Sequence, residues 1–346
     1  MSSAAESPVT SGAFAAATGV GSWPLTEPRT AAELVVGELH QLPHLVEMPA
    51  RGVGADIIGR AAALLIDIAL DTVPRGYRIA ARPGAVTRRA RSLLDEDLDA
   101  LEEAWERAGL RGGDRPVKVQ APGPITLAAQ VELPGGHRAI TDGGALRDLA
   151  ASLAEGVAAH RMAVARRLGS PVVVQFDEPS LSAALAGRLT GVTSLTPVHP
   201  VDEAVAVGLL DDCVAAVGAE VAVHSCETAV PWTVLRRSTV HAVLIDASST
   251  AGMDLDGLGE FVDAGRTVLL GVVPVTAPPV PPSARQLAAT AAALTDRLGF
   301  PRAVLAQRVG VTPACGLAGA TASWARRAVG LAQQVADAFA RDPEDL

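Results

Sequence analysis

Short apolar runs rich in β-branched residues alternate along this chain with longer segments of helical periodicity, and that alternation narrows the fold more than any other feature. The candidate strands are FAAATGVGS, HLVEMP, VKVQAP, VVVQFDEP, AEVAVHSC, AVLIDAS, TVLLGVVP and AVLAQRVGVTP. They are apolar at successive positions, the pattern of strands covered on both faces in a parallel sheet. Between them, ADIIGRAAALLIDIAL, ALRDLAASLAEGVAAHRMAVARRLG, VDEAVAVGLLDDCVAAVG, ARQLAATAAALTDRLG and ASWARRAVGLAQQVADAFARD carry apolar residues at helical spacing. About eight such strand–helix units predict an α/β chain closed into a (β/α)8 barrel. An open doubly wound sheet is the alternative, but no G-x-G-x-x-G follows the first strand.

No linker divides the chain, so residues 16–346 are expected to form one barrel domain behind a tail at residues 1–15. The opening MSSAAESPVTSGA has neither the charged start nor the apolar core of a signal peptide. Within Ile79 to Gly113, RRARSLLDEDLDALEEAWERAG is charged and strongly helical. It reads as a helical insertion after the second strand, either over the barrel mouth or as a solvated surface helix. The proline-rich TAPPVPPSA reads as a rigid loop into a helix capped by Ser283.

The composition is 49% hydrophobic but only 3% aromatic, so Ala, Val and Leu must fill the core. A formal charge of −9 argues against a nucleic-acid or anionic-membrane partner, either of which needs a basic face. No apolar run is long enough to span a bilayer. Positive charge is nearly all arginine, with Lys118 the only lysine; this reads as coding bias. Three scattered cysteines, Cys213, Cys226 and Cys315, make no disulfide scaffold and point to a reducing cytoplasm. There a cysteine with a role is a ligand or a nucleophile.

In a (β/α)8 barrel the active site lies at the C-terminal strand ends, and the unusual residues of this chain gather there. His224 and Cys226 close one strand, Asp246 closes the next, and Cys315 follows the last. Asp177 and Glu178 end VVVQFDEP, Ser22 ends TGVGS, and Glu47 ends HLVE. Residues i and i+2 of a strand face the same way, so His224 and Cys226 can address one point. With Cys315 and Asp246 they compose a candidate zinc site. The spacing also leaves core filling open, and Cys213, inside an amphipathic helix, reads that way. His241 precedes its strand and belongs to the opposite face.

Taken together, TGVGSWP, PGPIT, QFDEP, HSC and PACGL resemble, in order, the catalytic domain of cobalamin-independent methionine synthase. That family consists of zinc methyltransferases on a (β/α)8 barrel, and the resemblance runs from Thr18 to about Leu331. It implies that His224, Cys226 and Cys315 are zinc ligands and place the reacting thiol. Asp246 stands where the family has a glutamate ligand, one methylene longer. It further implies that Gly21 and Ser22 hold the carboxylate of homocysteine and Asp177 its ammonium group, with Glu47 as a second partner. The expected reaction is methylation of the homocysteine thiol to give methionine.

The chain departs from the family at the methyl donor. The full-length family carries a second, N-terminal barrel and uses a methylfolate. Its pterin-stacking tryptophan corresponds here to Gln130, a folate-contacting glutamate falls near Ala183, and the proton-donating histidine corresponds to Thr276. Methyl transfer from methylfolate leaves an amine nitrogen that needs a proton, whereas a methylcorrinoid leaves as Co(I) and needs none. This favours a corrinoid or corrinoid protein as the expected donor, with methylfolate the alternative. Two alternatives stay open: a zinc methyltransferase for another small thiol, and a non-catalytic barrel that binds zinc or an amino acid.

Overall fold

The computed structural model describes residues 12–191, 196–227, 229–248 and 254–346. Nine strands are present among them. β1 (Ala69–Val73), β2 (Gly76–Ala80) and β4 (Val131–Glu132) form a small sheet of order β1-β2-β4. β3 (Val117–Pro122), β5 (Val172–Asp177), β6 (Val221–Ser225), β7 (Ala242–Asp246), β8 (Thr267–Val273) and β9 (Val309–Pro313) form the main sheet. All its pairings are parallel and run strictly in chain order, so the sheet curls as a half-barrel with helices on its outer face. Apart from Asp246, every residue of these six strands is buried, which explains their unbroken apolar character.

Two further extended segments lie at the sheet's edges. Ala17 forms a parallel bridge to Val311 of β9, His44 forms one to Lys118 of β3, and Ser22 bridges Glu47. The first two expected strands thus contribute single bridges rather than ladders. The expected tail falls at residues 1–11 outside the described residues; of the rest, Ala13 donates its N–H to Glu220 and Phe14 is fully buried.

Other expectations need correction. The run AVLAQRVGVTP splits, with Val304–Arg308 helical and only Val309–Pro313 extended. The segment ADIIGRAAALLIDIAL is helical over Ile57–Leu64 and then turns into the β1–β2 hairpin, which the sequence pattern did not disclose. The charged stretch is one surface helix, Ala85–Arg107, with a solvated charged face and a packed apolar one, the second of the two expected arrangements. It buries Val86, Ala90, Leu101 and Trp105, and its C-terminal part is tied to the flanking helices Pro28–Glu38 and Gly143–Leu168. Arg29 meets Glu103 at 2.8 Å, Arg107 meets Glu33, and Arg167 meets Asp99 and Glu102. Trp105 Nε1 donates to Ser170 Oγ at 3.0 Å, just before β5. Most of its charges lie on the outer face of a packed crossover helix, whereas Asp97 is buried. Ser283 caps Ala284–Arg297 in a capping box with Gln286, as expected.

Candidate metal and amino-acid site

The C-terminal ends of β5, β6 and β9 and the two edge segments surround a cavity of about 330 Å³ lined by Ser22, Glu47, Asp56, Asp177, His224, Cys226 and Cys315. Val20, Pro49, Ala55, Ile57 and Pro179 supply its apolar wall. One ligand atom each from His224, Cys226 and Cys315 lies within 4.8 Å of the others. Asp177 and His224 are register partners on β5 and β6, so their side chains stand side by side. His224 Nδ1 lies 2.9 Å from Asp177 Oδ1. The carboxylate accepts, so Nδ1 carries the proton and Nε2 is left to face a ligand. Nε2 is buried and makes no hydrogen bond among the described residues, with the Cys315 thiol its near neighbour. An orphaned imidazole nitrogen beside two thiols suits a soft divalent ion.

The electrostatics agree. Burial pulls the His224 pKa down, but the hydrogen bond to Asp177 and the approach of Cys315 overcome this and lift it to about 9. Cys226 and Cys315 titrate as a pair, and their mutual hydrogen bond favours one thiolate. Cys315 is depressed by that bond and by His224, and Cys226 is raised by its neighbour and by burial.

Cys315 reaches the cavity because the loop after β9 packs against the first edge segment. Leu317 N–H donates to Ser22 O at 3.0 Å. A Cβ on Gly316 would stand 2.1 Å from Ser22 Oγ, so any side chain here would force the Ser22 hydroxyl out of its place.

Glu47 comes from the second edge segment, with its backbone on Gly21 O and Trp23 N. Its carboxylate lies 3.4 Å from Arg60 Nε, and Arg60 bonds Asp97 at 2.5 Å, which Arg51 meets at 2.6 Å. Burial pushes Glu47 up to about 7, with Arg60 opposing and Asp177 reinforcing the shift. Asp177 Oδ1 accepts from both His224 and Gln175, and Oδ2 makes no hydrogen bond among the described residues. Oδ2 and the Glu47 carboxylate are therefore the acceptors available to a cation in the cavity.

The expected residues divide as follows. Ser22, Glu47, Asp177, His224, Cys226 and Cys315 line one cavity, with Gly21 backing Ser22. Asp246 stands outside the three-residue group, exposed, with Oδ1 accepting from Ser248 N–H at 2.8 Å. Glu178 is turned away to accept from Ile125 N–H, Thr126 N–H and Thr126 Oγ1. Cys213 is buried in the helix Glu203–Val217. His241 sits before β7 and accepts from Val221 N–H. Sequence reasoning did not find Arg60, although an arginine inside the apolar IIGRAAALL is a signal for a buried partner.

The family model of the cobalamin-independent synthase catalytic domain matches residues 14–338. The chain belongs to that family. Among solved structures, a B12-independent methionine synthase from Shewanella sp. W3-18-1, in complex with selenomethionine, is similar with TM-score 0.61 and 12% identity. That likeness covers 96% of this chain and 100% of the other. A methyltransferase from Methanosarcina mazei is similar with TM-score 0.58 and 15% identity, over 96% of this chain and 95% of that one. No curated protein matches the chain by sequence. Family membership makes this a methionine-synthase-type catalytic domain. Gln130, Ala183 and Thr276, where family features are missing, do not line the cavity: Gln130 reaches Ser180 Oγ, Ala183 is half-buried, and Thr276 is exposed.

Proposed function

We propose that the chain is a zinc-dependent methyltransferase that methylates the thiol of L-homocysteine to give L-methionine, with a methylcorrinoid rather than methyltetrahydrofolate as donor. The observation that supports it most is the convergence of His224, Cys226 and Cys315 on the cavity that Ser22, Glu47 and Asp177 also line. Zinc held by His224 Nε2, Cys226 Sγ and Cys315 Sγ would supply the Lewis acidity that keeps a substrate thiol ionised near neutral pH. Asp246 is proposed as a further ligand. Asp177 Oδ2 and Glu47 take the ammonium group, and Gly21 and Ser22 the carboxylate. The apolar wall from Val20 to Pro179 excludes water from the sulfur, which raises its nucleophilicity.

The absence of an acidic group at Thr276 and of a stacking ring at Gln130 supports a donor whose leaving group needs no proton. We further propose that the two edge segments complete an eight-stranded closure within a single domain, residues 16–346. The free thiols suit the cytoplasm. Zinc-loaded protein is incubated with homocysteine and, separately, methylcobalamin or methyltetrahydrofolate, and methionine is assayed. Methionine from methylcobalamin is expected; methionine from neither donor rejects the function, and efficient use of methylfolate rejects the donor. Calorimetry in buffers of different ionisation enthalpy must also show a proton released when homocysteine binds.

A further inference from the structure

Beneath the cavity lies a buried amine that the proposed chemistry leaves without a task. Lys118 is the only lysine among 29 Lys and Arg residues, and it is fully buried near the start of β3. Its Nζ donates to Val20 O at 3.1 Å and to Gln175 Oε1 at 2.5 Å. With Oε1 so engaged, Gln175 Nε2 points the other way and donates to Val20 O and to Asp177 Oδ1, each at 2.7 Å. The same Oδ1 takes His224 Nδ1. A buried run of hydrogen bonds thus links the barrel floor to the ligand imidazole, and Lys118 stands at its start.

We propose that Lys118 is a positioning residue: by anchoring the Gln175 amide, it holds Asp177 with Oδ1 on His224 and Oδ2 turned to the cavity for an ammonium group. Only the last clause rests on the proposed substrate. Without Lys118, Gln175 Oε1 is a buried acceptor with no donor, so the amide leaves its place to find one and Asp177 loses a hydrogen bond. An arginine cannot replace it, because a planar guanidinium needs room that the packed interior does not give.

The test is a double-mutant cycle of Lys118→Met and Gln175→Met, read by calorimetry of zinc-loaded protein. The ligands are homocysteine and 4-mercaptobutanoic acid, the same thiol without the amino group. Each single variant should raise the homocysteine Kd about tenfold, the value of one buried hydrogen bond to a charged group. The amino-free thiol should bind as to wild type, and the double variant should be no worse than the weaker single one. Equal losses for both thiols, additive losses, or no loss overturns the proposal.

Wild-type protein that ignores homocysteine rejects the proposed function instead. The inference is then decided without ligand, by the NMR signal of the Gln175 side-chain amide, assigned by its loss in Gln175→Met. That amide must be protected from exchange in wild type and lose protection in Lys118→Met; equal protection overturns it. Should Lys118→Met not fold, protein labelled with carbon-13 at lysine Cε gives a single lysine signal. It must shift in Gln175→Met, and a signal that stays in place refutes the link.

Discussion

Replacing Asp177 by asparagine isolates the charge that stands behind the ligand imidazole. Asparagine keeps an oxygen for His224 Nδ1–H, so the ring need not turn, and only the negative charge is lost. The contact is 2.9 Å long between two side chains that are almost wholly buried. A hydrogen bond to a charged group in such a place is worth about 1.5–3 kcal/mol. Removing the outer partner of a metal-binding histidine typically costs ~10–100-fold in metal affinity, the same range. A second effect opposes the first. In the metal-free protein His224 titrates at about 9, so near neutral pH an arriving metal must displace its proton. Over about two pH units that displacement costs about 2.7 kcal/mol. Asparagine lowers the proton affinity too, so at neutral pH part of the lost metal affinity is returned. Zinc affinity measured by competition with a chromophoric chelator should therefore fall about 10–100-fold above the His224 pKa and less near neutral pH. Equal affinity of both proteins at the higher pH, or a larger loss at the lower one, would show that Asp177 does not support the imidazole.

Cys226→Ser and Cys315→Ser should each lose zinc in a metal assay of purified protein, whereas Cys213→Ser, away from the cavity, should retain it; full retention by the Cys315 variant removes the site. Gly316→Ala drives a methyl group against Ser22 Oγ and should cost about 1–3 kcal/mol by overpacking. Its melting temperature should drop and homocysteine binding weaken, and an unchanged melting temperature would contradict the contact. Burial pushes Glu178 up to about 7 against the hydrogen bonds from Thr126 and Ile125, from an ordinary 4.5. A carboxyl raised on folding contributes stability that is complete below its unfolded pKa and disappears as pH rises through the folded value. Glu178→Gln should therefore flatten the fall in stability between pH 4.5 and about 7, which is on the order of 3 kcal/mol in wild type by denaturant unfolding. Parallel pH profiles for the two proteins would refute this.

The parallel sheet was legible because strands buried on both faces leave an apolar signature that needs no knowledge of neighbours. So was the cluster of His224, Cys226 and Cys315, since strand ends in such a sheet converge on one rim. The hairpin of β1 and β2 was not, because ALDTV and GYRIA are too short and too polar to stand out from a loop. The packing of Ala85–Arg107 was not legible for a related reason. Its charges are evident in sequence, but that they clasp Glu33, Arg29 and Arg167 on two neighbouring helices is a tertiary fact. The depth of Asp246 could not be read either, since its strand ends one residue before the path of the loop begins to matter. Likewise VKVQAP shows a lysine and a glutamine on one face, yet nothing local says that the face is the inner one of the curled sheet.

The burial of Lys118 has a practical consequence. With no other lysine in the chain, the folded surface among the described residues offers amine-selective reagents no ε-amino group. Acylating dyes should therefore leave Lys118 unmodified in the native chain. Its label should enter only when the interior opens, so modification of Lys118 counts opened molecules directly.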